Sequence, residues 1–347
     1  MYDLFQMTEN TGNPGIIVGR RGNDALPHFF VAQGDEIAGV VVKSGRSEVP
    51  ITPDYAHRQT PKTEGVEEIT SPGVALRYRE SQDGKPQLYI VANGEIVTNQ
   101  SNQVSFVTDH GPEDELRIGD RIVFSLEPRL RLTNGIYEGQ TDDTLGDTIA
   151  FLSALTLGRL ASEMPNKYGE LEIYYIFDDR EEGNPDGLFG GGAKNLAQAN
   201  ARDTRFANST YTVCDGHDVL PIDGGKTVDD ERLRSVDGAL VAQTISSGKG
   251  ITLHPDAQYR MEYLMRLAQQ HGGKVYFGGE VDVLTSRSSE NGLRYGGVKD
   301  HNVRDMGFGG VDYHFVQGRP PKASFESALE AARFATVMSV AANKGLL

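Results

Sequence analysis

From Asp142 to the C-terminus the chain alternates between two periodicities, and this alternation narrows the folds open to it more than any other feature. Leu145, Ile149, Leu152, Leu155 and Leu160 fall at helical spacing, and Asp142 or Asp143 could cap the start of that helix. Leu171 to Phe177 is then an apolar run rich in aromatic and β-branched residues, the signature of a buried strand. A helix around 187–202, a strand over Thr210–Cys214, a helix over Met261–His271 and a strand over Lys274–Phe277 follow. Phe325, Leu329, Ala332 and Ala335 share one face of a closing helix. Strand and helix taken in turn predict an α/β fold, a mixed sheet covered by helices on both faces.

The first third reads differently. Ile16–Val18, Phe29–Ala32 and Ile37–Val42 are short strands, and from about Ser44 to Arg129 the pattern stays strand-like and turn-rich with no amphipathic helix. The expected organisation is an α/β domain of residues 1–43 and 130–347. A small β-rich, barrel-like domain, residues 44–129, is inserted into it and serves oligomerisation or substrate access.

The formal net charge of -15 argues against nucleic acid, whose phosphates need a basic surface. No apolar run reaches the ~20 residues of a membrane span, and Met1–Phe5 carries no leader-like segment, so a cytoplasmic protein is expected. Cys214 is the only cysteine, which excludes an intrachain disulfide and a thiolate zinc site. Three polar clusters stand at predicted strand or helix edges: Asp142-Asp143, Asp178-Asp179-Arg180-Glu181-Glu182-Gly183, and Asp215-Gly216-His217-Asp218. Singly, each reads equally as a helix cap or a solvated loop. Gathered at strand ends, their carboxylates would repel one another unless a cation or an arginine neutralised them. A divalent metal held by carboxylate oxygens and imidazole nitrogens is the economical reading. Gly190-Gly191-Gly192 is not a phosphate loop, because no Lys-Ser/Thr follows it.

The segment Glu115–Phe124, then Leu132-Thr133-Asn134-Gly135, then Thr141–Gly146, resembles a block of the tetrahedral dimetal aminopeptidases. Glu181-Glu182-Gly183 with Phe189-Gly190-Gly191-Gly192-Ala193 resembles that family's "glu-glu-val-gly-x-x-gly-ala" motif, and Asp312-Tyr313-His314 its late "arg-tyr-x-his" motif. The resemblance implies Asp142 as a metal-bridging ligand, Glu182, Asp215 and His314 as further ligands, and Glu181 as general base. Where the family carries "his-x-asp-glu-ile-gly", this chain has Gln33-Gly34-Asp35-Glu36-Ile37-Ala38. Gln33 thus takes the place of a histidine ligand, while the Asp that orients that histidine is kept as Asp35. The family's "gly-gly-thr-asp-ala-gly" is matched only loosely, by Ser288-Ser289-Glu290-Asn291-Gly292.

By that resemblance one or two divalent ions per chain (zinc, cobalt, manganese or magnesium) are expected, in a homo-oligomer between a dimer and a dodecamer. An amide oxygen is a weaker donor to zinc than imidazole, so the site containing Gln33 should bind less tightly; His217 is the alternative imidazole. His28 is expected to serve the core or surface. The expected activity is removal of N-terminal residues from short peptides, or cleavage of a related small amide, with Glu181 deprotonating water. The alternative is a catalytically impaired member serving as a structural or binding subunit of an assembly.

Overall fold

The structure, a computed structural model, describes residues 3–6, 16–20, 26–33, 37–52, 66–80, 86–101, 103–109, 115–125, 130–178, 190–222, 227–242, 254–284, 289–313 and 318–347. Among them the strands form two sheets. The larger is mixed. At its centre Ile173–Asp178, His28–Gln33, Thr210–Val219 and Val303–Val311 lie side by side, each pair parallel. Antiparallel strands extend it on both sides, through Ile16–Arg20 and Asp3–Gln6 on one and Lys322–Ser324, Ile136–Gly139 and Leu130–Thr133 on the other. The central strands are covered on both faces, which is why His28–Gln33 is buried at every position rather than at alternate ones.

Helices supply the two covers. Thr144–Glu163, Pro255–Gln270 and Phe325–Asn343 pack on one face around Phe30, Tyr175, Met306 and Phe308. Gly191–Asn200 and Ser289–Tyr295 pack on the other around Val31, Ile176 and Val213, where Phe29 stacks between Tyr174 and Tyr211. The last two helices touch through glycine: a Cβ on Gly292 would lie 1.9 Å from the Gly190 carbonyl oxygen, and Gly190 has φ 69°.

The α/β architecture with helices on both faces is therefore present. Thr210–Val219 runs five residues past the expected end at Cys214, and the Val303–Val311 strand was not legible, because glycines at 307, 309 and 310 break its apolar pattern. No helix among the described residues is long and apolar enough to cross a membrane.

The second sheet is antiparallel and curls around its own core of Val41, Val49, Ile96, Phe106, Leu116, Ile122 and Phe124. It takes in Ile37–Val40, which pairs antiparallel with Arg121–Phe124 and buries Ala38. At its heart the Asp120 carboxylate, 2% exposed, accepts from Arg77 Nε and Nη2, both at 2.6 Å, and from the Arg117 N–H at 2.7 Å. Asp120→Ala should lower stability by roughly 2–3 kcal/mol in urea unfolding, since it strands charge-assisted donors at a buried site.

His28 sits fully buried at the start of its strand, with Nδ1 2.9 Å from Thr210 Oγ1. Burial, then the nearby Arg304 charge, pushes its pKa down to about 3. A base whose folded pKa is lowered stabilises the fold above its unfolded value and loses that contribution as pH falls. Stability should therefore decline from about pH 6.5 downward, and His28→Asn should flatten that slope in urea titrations at pH 7.5 and 5.

Candidate metal centre

The start of one helix and the interior of one strand build the site. Asp142 and Asp143 precede the Thr144–Glu163 helix, joined by a cis peptide, and Asp215 stands inside the Thr210–Val219 strand. Their ligand atoms all lie within 4.8 Å of one another. All three residues are buried, Asp142 with 8% exposure being the most open. Sequence order alone placed Asp215 at a strand end; instead the strand carries it inward, and extending the Val213↔Val31 register by two residues sets it level with Gln33. Asp178 is the direct partner of Gln33 on the other side.

Asp143 is held by its capping duty. Its Oδ1 accepts from the Gly146 N–H at 2.7 Å, and its Oδ2 from the Gln33 N–H at 3.4 Å. Residue 146 has to be glycine for this geometry, since a Cβ there would come within 2.0 Å of Asp143 Oδ2. Burial, followed by the charges of Asp215, Asp142 and Asp147, holds the Asp143 carboxyl well above the usual range. Three carboxylates crowded out of water favour either a proton or a cation between them. Hard oxygen donors in this number suit a divalent ion, so the residues fit the metal that the sequence implied.

Gln33 is 3% exposed and donates from Nε2 to Asp142 Oδ1 at 2.8 Å. Its Oε1 has no hydrogen-bond partner among the described residues. The side chain thus reaches the acids, but with its N–H donor toward Asp142; turning the amide over would present the oxygen instead.

Of the residues singled out by sequence, Asp142, Asp215 and Gln33 come together here, while Asp35, Glu181, Glu182 and His314 lie outside the described residues. Asp178, which opens the second polar cluster, serves structure: its Oδ2 accepts from the Ala193 N–H at 2.9 Å and from Ser289 Oγ at 3.3 Å, tying both helices of one face to the sheet. His217 is not in the acid group. It is fully buried, with Nε2 3.8 Å from Asp305 Oδ1 and a pKa pushed down to about 4 by burial. Asp305, missed in the unread strand, is held well above the carboxylate range by burial, then by Glu290 and Asp215. Its only sequence signal was an acid following Arg304 in an otherwise apolar and glycine-rich run.

No protein-family model matches the chain, and no curated protein matches it in sequence. Solved structures match in fold. An aminopeptidase from the archaeon Desulfurococcus kamchatkensis superposes with a TM-score of 0.64 over 99% of this chain and 86% of its own, at 13% identity. The TET1 peptidase of Pyrococcus horikoshii, which can assemble into a tetrahedron or a large octahedral shell, gives 0.59 over 98% and 89%, at 10% identity. Yeast aminopeptidase 1 gives 0.60 over 96% and 85%, at 12% identity. The chain has the α/β fold of these aminopeptidases, with its extra curled antiparallel sheet.

Gln33→Glu would replace the amide donor with a fourth carboxylate. The chelated protein should lose roughly 2–3 kcal/mol at pH 8, and manganese should restore it; thermal melts with and without the ion measure both.

Proposed function

We propose that the chain is a metal-dependent aminopeptidase-type hydrolase that removes N-terminal residues from short peptides or cleaves a related small amide. The observation that carries this reading is the convergence of Asp142, Asp143 and Asp215 within 4.8 Å, in an aminopeptidase fold. Asp142 and Asp215 would hold the cation, with Glu182 and His314 added by the sequence motifs. When bound, the ion supplies Lewis acidity toward a carbonyl and toward water. Glu181, assigned by its motif, takes the proton from water and returns it to the leaving amine. Asp143 keeps the Thr144–Glu163 helix capped and so fixes where Asp142 stands. Gln33 holds Asp142 from the opposite strand.

A second reading, a catalytically impaired member that serves as a structural or binding subunit, is favoured by one contact. Gln33 offers Asp142 a proton donor at the position where the resemblance implies a metal-ligating imidazole. In either reading we propose that the chain works as a homo-oligomer and that residues 44–129 form an inserted unit.

Elemental analysis and hydrolysis of aminoacyl p-nitroanilides separate the two. Wild type should retain one tightly held divalent ion per chain and turn over substrate. Asp215→Asn should lose ion and activity, and Glu181→Gln should keep the ion while losing on the order of 10²–10⁴ in rate. Gln33→His should raise metal occupancy. A protein that binds the ion and cleaves nothing until Gln33→His is made would establish the second reading.

A further inference from the structure

Arg304 takes no part in the acid site. It lies in the Val303–Val311 strand, one residue before Asp305 and therefore on the opposite face of the sheet, and is only 2% exposed. Its Nε and Nη1 have no hydrogen-bond partner among the described residues, and no ion pair there engages its side chain. A buried guanidinium without a counter-charge is among the costliest groups a fold can hold.

Its surroundings add donors and positive charge. Thr212, directly opposite Arg304 in the strand register, is fully buried, and its Oγ1 has no hydrogen-bond partner among the described residues. His28 is buried on the same face with Nε2 unpartnered in the same sense. Burial and then the charge of Arg260 draw the Arg304 pKa down to about 10, and Arg304 in turn opposes protonation of His28. The Arg260 charge adds to the disfavour that burial imposes on the Arg304 guanidinium, and neither effect is relieved by an acidic side chain paired with Arg304 among the described residues.

The geometry points to a small inorganic anion bound inside the molecule, held by the Arg304 guanidinium and the Thr212 hydroxyl, with Arg260 contributing charge from the surface. Burial of both donors restricts the ligand to one ion rather than a metabolite tail, and chloride and phosphate are the sources to separate.

Two measurements on the full-length protein test this. Crystals soaked in sodium bromide should show an anomalous peak within hydrogen-bonding reach of the Arg304 guanidinium. Thermal melts in chloride, bromide or phosphate, with ionic strength held by gluconate, should show a saturable rise of a few degrees for the ion that binds. Arg304→Met should abolish that rise; if it fails to fold, Arg304→Lys and Thr212→Val should weaken it and carry the comparison. Absence of the bromide peak overturns the proposal, and so does a rise that persists unchanged in these variants.

Discussion

Three acids shielded from water set the terms for the upper edge of the large sheet. Two unit charges 4.8 Å apart repel by about 3–4 kcal/mol at an effective dielectric of 20. The hydrogen bond from Gln33 Nε2 to an ionised Asp142 offsets about 1.5–3 kcal/mol of this. With three such pairs in the group, crowding favours a proton or a cation among Asp142, Asp143 and Asp215. Everything else nearby limits their retreat: Asp143 is committed to a helix start, Asp215 to a strand interior, and Asp142 to the amide across from it.

The alternation of helical and strand periods made the α/β layering legible, because each helix shows the sheet one apolar stripe and each central strand is buried on both sides. Asp142 and Asp215 were readable as acids in polar clusters at the edges of those segments, and their ligand roles came from the motifs they resemble. Asp305 and Arg304 were not. Their strand carries Gly307, Gly309 and Gly310, and those glycines answer to close neighbours: a Cβ on Gly310 would meet the Tyr313 hydroxyl at 2.1 Å. Packing demands of that kind erase the hydrophobic period while leaving the strand intact. Asp178 shows the converse limit. The sequence displays an acid after a strand whether that acid caps a distant helix or faces an ion, and only three dimensions separate the two.

The likeness to aminopeptidases carries less than its extent suggests. A fold covering 99% of the chain at 13% identity fixes where strands end, and it leaves the chemistry to the few side chains that end them. Gln33 is one of those side chains, the last residue of its strand and the one whose amide is bonded to Asp142. Under the proposed function, the two readings differ in which end of a single amide faces the acids.

The small antiparallel sheet has a consequence for how the acid site can form at all. Gln33 and Asp142 are separated by 109 positions, and an unstructured loop of that length is costly to close. The curled sheet runs from Ile37 to Phe124 and pairs its first strand with its last, so its own ladder and core bridge most of that separation. Gln140 then fastens the returning chain, donating from Nε2 to the Phe124 carbonyl at 2.9 Å. Folded, the curled sheet acts as a stapled spacer: with Ile37 paired to Val123, far shorter stretches on either side of it have to bring Gln33 and Asp142 together.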